Sequence, residues 1–213
     1  MVTIRNETSF DIDAREHLLD RVWGVERFAK TAERLREGRE PSAGLSFIAE
    51  RDGDIVGTVR LWDVCAGPGR PAVLLGPLAV DKGHRACGIG GALLRRAMAA
   101  ARQRKHGAIL LVGDAPYYER FEFSAEKTAA LWLPGPYERD RLLACELTPG
   151  TLDGARGMIG ATGRPTPAPS LEALIAGLGQ DFGQDFGQDF GQDFGGDLNR
   201  DLTHAAASAR HAA

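Results

Sequence analysis

Two short apolar stretches, Ala72–Val80 and Ala108–Val112, bracket a glycine-rich loop and one amphipathic stretch. This arrangement constrains the fold more than any other feature of the 213 residues. Neither stretch alternates with polar residues, the pattern of strands buried on both faces. Between them, Gly88–Lys105 places Ile89, Leu93, Ala97 and Ala100/Ala101 on one helical stripe. Its basic end (Arg102, Arg104, Lys105, His106) suits the helix dipole, and Gly107 is positioned to stop it. Strand, helix and strand with short links make a βαβ crossover, so the two strands are expected to run parallel. Pro77 cannot donate to a ladder, which predicts a break or bulge in the first strand.

The flanking sequence supplies more strands and helices. Val2–Arg5 reads as a first strand. Asp11–Val22 reads as a helix with Ala14, Leu18, Leu19 and Val22 on one face and Gly24 at its end. A second helix is expected over Val25–Glu37, with Phe28, Ala32 and Leu35 as its stripe. Leu45–Arg51 and Asp54–Trp62 form a hairpin about Asp52-Gly53, a pair suited to the positive φ of a tight turn. Tyr117–Phe121 reads as a short helix, and Leu131–Leu133 and Leu142–Leu147 as late strands. The expected fold is α/β of the α+β type. It has a mixed, mostly antiparallel sheet, a central parallel βαβ crossover and flanking helices.

Composition narrows the function classes. Hydrophobic residues at 43% and charged residues at 26% fit a globular chain. The apolar run Pro71–Val80 is far short of the ~20 residues of a membrane span. The opening MVTIRNETSF has no apolar core of a secretory signal. Three cysteines (Cys65, Cys87, Cys145) with no C-x-x-C pair read as reduced thiols, so a cytoplasmic location is expected. A net charge of −3 argues against a nucleic-acid partner. A homodimer is the default oligomer.

The C-terminal part differs in kind. Residues 165–213 hold seven acids and two bases, against 22 acids and 24 bases before them. Gly-Gln-Asp-Phe recurs from Gly179 to Phe194, with a period of four that suits neither strand nor helix. The expected organisation is a folded domain over 1–160 and a flexible low-complexity tail over 161–213. The tail includes a linker-like Pro165-Thr166-Pro167-Ala168-Pro169, and a short helix is expected over 170–178 with Ser170 as its cap.

Chemistry concentrates where the first apolar strand meets the long helix, Asp81-Lys82-Gly83-His84-Arg85-Ala86-Cys87-Gly88-Ile89-Gly90-Gly91. A glycine-rich loop opening a helix presents unpaired N–H groups and the positive dipole end, an anion site suited to a pyrophosphate. A lone G-x-G would equally serve close helix–strand packing. The G-x-G-x-x-G dinucleotide fingerprint fails because Leu93 takes the third glycine position. The G-x-x-x-x-G-K-[ST] phosphate loop fails because no Gly-Lys-Ser/Thr follows.

Arg85-x-x-Gly88-x-Gly90 after an apolar strand resembles the acetyl-CoA signature of the GNAT acetyltransferase superfamily. Tyr117-Tyr118-Glu119-Arg120-Phe121-Glu122-Phe123 resembles the Y-Y-x-R-F-G-F motif of a bacterial branch of predicted N-acetyltransferases. The resemblance spans roughly 1–160. It implies acetyl-CoA as co-substrate, with the pantetheine arm paired to the backbone of Leu78, Ala79 and Val80. The pyrophosphate would lie on Arg85 and the N–H groups of Ala86, Cys87, Gly88, Ile89, Gly90 and Gly91. Tyr118 would donate a proton to the leaving thiolate, and the acceptor would be a small-molecule or peptide amine. Glu122 stands where the family usually has glycine, which strains or shifts that turn, and Ala86 replaces another common glycine with less consequence. No acid lies in 72–80, so no general base is named. Three readings stay open: an N-acetyltransferase, an acetyl-CoA-binding module with degenerate catalysis, and an interaction protein acting through its tail.

Overall fold

The computed structural model describes residues 1–167, and the repeat-bearing tail with its expected helix over 170–178 lies outside the described residues. The chain order is β1 (Val2–Asn6), α1 (Ile12–Trp23), β2 (Ser46–Arg51), β3 (Asp54–Ala66), β4 (Pro71–Val80), α2 (Ile89–Gln103), β5 (Ala108–Val112), α3 (Ala115–Tyr118), β6 (Leu131–Trp132), β7 (Leu142–Glu146) and β8 (Gly157–Ala161). The sheet runs β1-β2-β3-β4-β5-β7, and β8 pairs with the end of β3 and with β6. Within the path β1 to β7 every pairing is antiparallel except β4–β5. The mixed, mostly antiparallel sheet with one parallel crossover is therefore the architecture that the sequence implied.

Two apolar layers explain why β4 and β5 carry no polar alternation. Val73, Leu75, Ile109 and Leu111 join Leu93, Leu94 and Ala97 of α2 on one face. Ala72, Leu74, Ala108 and Leu110 join Trp62, Leu131, Leu133 and Ile159 on the other. Each strand is covered on both sides, so each position is apolar.

The strand bulge falls at Pro77. Val59 pairs with Leu78 and Leu61 with Leu75, so Gly76 and Pro77 together face the single residue Arg60. The indole Nε1–H of buried Trp62 donates to the Gly76 carbonyl at 2.6 Å, which satisfies that carbonyl within the bulge. On its other side, β4 meets β5 only at Val73 and Leu74. From Leu75 onward the β5-facing edge of β4 has no strand partner among the described residues, and the two strands part.

Three expectations need correction. The helix over Val25–Glu37 is instead two 3-10 segments, Val25–Ala29 and Thr31–Leu35, broken at Lys30 with extended backbone (φ −68°, ψ 135°). Tertiary ties override the helical pattern: Arg27 bonds Glu16 and Asp20 on α1, Thr31 Oγ1 donates to the Pro136 carbonyl, and Arg34 Nη1 donates to the Pro134 carbonyl at 2.7 Å. Phe28, placed on the expected buried stripe, is 57% exposed. Helix α2 is closed by Lys105 in the left-handed region (φ 62°), not by Gly107. His106 N–H reaches the Ala101 carbonyl and Lys105 N–H the Arg102 carbonyl, each at 3.0 Å, the bond pattern of a Schellman cap. Strand β8 carried no signal that was read. It and the following backbone bonds, Thr162 and Gly163 to the Asp63 carbonyl and Thr166 to the Gly38 carbonyl, continue the folded unit to Thr166.

Candidate active site

The parted strands open a groove of about 750 Å³. One wall is the free edge of β4 with Leu75, Gly76, Pro77, Leu78 and Val80. Arg85 and Gly90 stand at the start of α2, and Val112, Gly113, Asp114, Tyr117 and Tyr118 follow β5. The 3-10 segments and the loop between β6 and β7, which the Thr31 and Arg34 bonds hold together, also line it.

The residues singled out in the sequence fall around this groove in a graded way. Leu78, Val80, Arg85 and Gly90 line it directly. Ala79, opposite Thr58, and Ile89 turn their side chains into the core, at 2% and 4% exposure, so only their backbone is available to a ligand. Ala86, Cys87 and Gly88 form the exposed loop before α2, and Gly91 is buried against Phe121. Gly88 is the helix N-cap in the left-handed region (φ 76°), where a side chain is disfavoured. The N–H groups of Ile89, Gly90 and Gly91 head the 15-residue helix, beyond the reach of any intrahelical carbonyl. The preceding loop is tied by Asp81, which accepts from Gly83 N–H at 2.9 Å; this bond holds its carboxyl below the usual range.

Ala86 corrects the sequence reading. It also has positive φ, 62°, so its lost glycine matters as much as the one at Glu122, where φ is 67°. Glu122 does not shift its turn. It keeps the left-handed conformation in which the 3-10 turn Glu119–Phe121 ends. Both residues therefore carry a conformational cost of ~1–2 kcal/mol that glycine would avoid.

Tyr118 packs edge-on to Tyr117, with ring centroids 4.9 Å apart, and on Phe123 at 5.9 Å. Burial, with a smaller contribution from Tyr117, pushes its phenol up to about 12. It is thus protonated throughout the physiological range and able to donate. Tyr117 lines the same groove. Its hydroxyl lies 3.0 Å from where a β-carbon on Gly90 would stand, so it reaches back to the head of α2. Tyr117 thus stands by the head of α2 and Tyr118 by Gly113 at the end of β5. Only the spacing of adjacent tyrosines on a short turn, as against a longer helix, could have signalled this.

At the ends of the hairpin strands, Glu50 pairs with Arg5 at 2.9 Å and Asp63 meets the 162–163 backbone through its own carbonyl. Neither lines the groove. Its acids are Glu33, Asp114 and Glu138. Its cations are Arg27, Lys30, Arg36, Arg85 and Arg141. Arg36, with its side chain only 9% exposed, meets Glu33 at 3.4 Å, and Arg141 meets Glu138 at 3.5 Å. Lys30 lies over the Trp23 ring at 3.8 Å. Burial, then the nearby Arg36 and Arg141, lower the Lys30 ammonium below its ordinary range, and burial does the same to the Arg36 guanidinium.

Comparison with known proteins finds similar sequences and folds. Residues 42–125 match the family model described as acetyltransferase (GNAT) domain. The chain is 26% identical over 157 residues to the protein named uncharacterized N-acetyltransferase YhbS of Escherichia coli strain K12, covering 73% of this chain and 93% of that protein. The crystal structure of YhbS in complex with CoA matches with a TM-score of 0.65, over 75% of this chain and 89% of that one. A GNAT family acetyltransferase of Brucella melitensis, crystallised with acetyl-CoA, shares the fold at a TM-score of 0.56 and 23% identity, over 75% of this chain and 95% of that one.

Proposed function

We propose that the chain is an acetyltransferase of the GNAT type that uses acetyl-CoA as co-substrate and transfers acetyl to a primary amine by direct attack, a reading supported by the match of residues 42–125 to that family model and by the likeness to YhbS. One observation carries the reading: a single groove holds the free β4 edge, the head of α2 and the Tyr118 phenol.

The groove fits such a co-substrate. The unpaired β4 edge offers backbone groups to an extended amide-bearing arm, as an added strand does. The N–H groups at the head of α2, with Arg85, hold the pyrophosphate. Gly88 and Gly90 leave that approach free of side chains, and Ala86, Cys87, Ile89 and Gly91 contribute backbone. Acetyl-CoA supplies a thioester: the acceptor nitrogen bonds to its carbonyl carbon as the C–S bond breaks. The N–H of the bulge at Leu78 stabilises charge on the carbonyl oxygen, an effect worth ~3–4 kcal/mol for one donor. Tyr118 gives its proton to the departing sulfur and is reprotonated from solvent, and the acceptor nitrogen loses its proton to solvent.

The test is thiol release by the full chain over a panel of primary amines, with Tyr118→Phe beside it. Amine-dependent release that falls at least tenfold in Tyr118→Phe supports the proposal. Release no faster than in buffer across the panel contradicts it.

A further inference from the structure

We infer that Tyr117 is a cofactor-binding residue, whose phenol O–H donates to the pyrophosphate of acetyl-CoA at the head of α2. This role rests on the proposed acetyl transfer and divides the work of two adjacent tyrosines. Tyr118 serves the sulfur, and Tyr117 serves the phosphates.

The geometry converges on Gly90. In Gly88-Ile89-Gly90 only Gly88 has the left-handed backbone that disfavours a side chain. Gly90 lies inside the regular helix, where alanine would be more favourable by ~1 kcal/mol. Its glycine therefore serves space, not conformation. A β-carbon there would stand 3.0 Å from the Tyr117 hydroxyl and 3.6 Å from Val80 Cγ2. In a helix that β-carbon tilts toward the N-terminus, the end where the unpaired N–H groups lie. The missing side chain thus admits the phenol to the point where the end of β4 meets the head of α2.

The ring is held there from several sides. It packs edge-on to Tyr118 with centroids 4.9 Å apart and tilted on Phe121 at 5.9 Å. The Arg120 guanidinium lies over it at 4.2 Å from the ring centroid. A donor already fixed by its neighbours loses little freedom when a ligand binds. Its hydroxyl is also uncommitted. Tyr137, the third tyrosine of the groove, donates to the Leu131 carbonyl at 3.2 Å. The Tyr117 hydroxyl has no hydrogen-bond partner among the described residues.

The surroundings select the ligand group. The N–H groups of Ile89, Gly90 and Gly91 and the Arg85 side chain are all donors, so the matching atoms are anionic acceptors. The phenol adds one more donor to that set. The amide carbonyls of the pantetheine arm have the backbone of β4 instead.

Calorimetric titration of the full chain tests this by binding, without turnover. The probes are CoA and adenosine 3′-phosphate 5′-diphosphate, the nucleotide half of CoA that keeps the pyrophosphate. Tyr117→Phe, which removes only the hydroxyl, is expected to weaken both by about tenfold, within the range of one hydrogen bond to a charged acceptor. Tyr118→Phe is expected to weaken both less than threefold. Unchanged CoA affinity in Tyr117→Phe overturns the inference. So does a loss on CoA that the nucleotide half does not share, a wild-type chain that binds CoA but not the nucleotide half, or an equal loss in Tyr118→Phe. Failure of the wild-type chain to bind CoA at all would instead contradict the proposed function.

Discussion

The Tyr118 ring occupies the space that a side chain on Gly113 would need: a β-carbon there would stand 2.2 Å from Tyr118 Cε2. Glycine at the end of β5 thus sets where the phenol lies. Gly113→Ala is expected to push the ring aside and lower kcat by tenfold or more, since small misplacements of a proton donor are costly. KM for acetyl-CoA should change little, because the phosphate-type loop lies on another element. Steady-state kinetics separates the two, and an unchanged kcat would remove Tyr118 from the mechanism.

The raised phenol predicts a pH profile. A group with a pKa of about 12 stays protonated well past pH 10, so proton donation from Tyr118 should not limit kcat below that value. The ordinary tyrosine pKa of ~10 would bring a decline earlier. The wild-type profile should rise as the acceptor amine deprotonates and then hold to pH 10. A basic limb near pH 9 that vanishes in Tyr118→Phe would contradict the burial of this phenol.

Glu122 and Ala86 adopt backbone conformations that suit glycine (φ 67° and 62°). Glu122→Gly should stabilise the fold by about 1 kcal/mol, the lower end of the cost of left-handed backbone for a side-chain-bearing residue. That corresponds to a Tm higher by about 2–4 °C for a domain of this size. Ala86→Gly should do the same. A fall in Tm for both by differential scanning calorimetry would show that their side chains hold contacts that outweigh the strain.

How much of this was legible in the sequence depends on the range of the forces involved. The β4–α2–β5 crossover was legible because apolar pattern and helix stripe are local and mutually consistent. The bulge was legible because Pro77 lacks an N–H. The break at Lys30 was not, since it is imposed by bonds from Thr31 and Arg34 to carbonyls about a hundred residues away. Strand β8 was missed because Gly157 and Gly160 dilute the strand signal, and its partners are the distant β3 and β6. In the site, the residues of a local motif were found. The groove cations Lys30, Arg36 and Arg141, gathered from two separate segments, were not.

The indole of Trp62 holds the bulge from the buried side through the Gly76 carbonyl. Trp62→Phe keeps most of the apolar area but leaves that carbonyl unsatisfied, at a cost of ~1–3 kcal/mol. Urea unfolding should register the loss. Activity should fall by more than destabilisation explains, since the bulge carries the N–H assigned to the carbonyl oxygen. Unchanged turnover in the folded variant would separate the bulge from catalysis.

The central claim is that the groove between β4 and β5 binds acetyl-CoA, and thermal unfolding of the full chain tests it most directly, with ATP and NAD as controls. At a hundred times its dissociation constant a ligand adds ~2.7 kcal/mol. The expected result is a rise of about 5–10 °C with acetyl-CoA alone. Gly90→Trp, which fills the head of α2 where Tyr117 already leaves only 3.0 Å, should lose it. No rise at millimolar acetyl-CoA, or an equal rise in Gly90→Trp, would contradict the account.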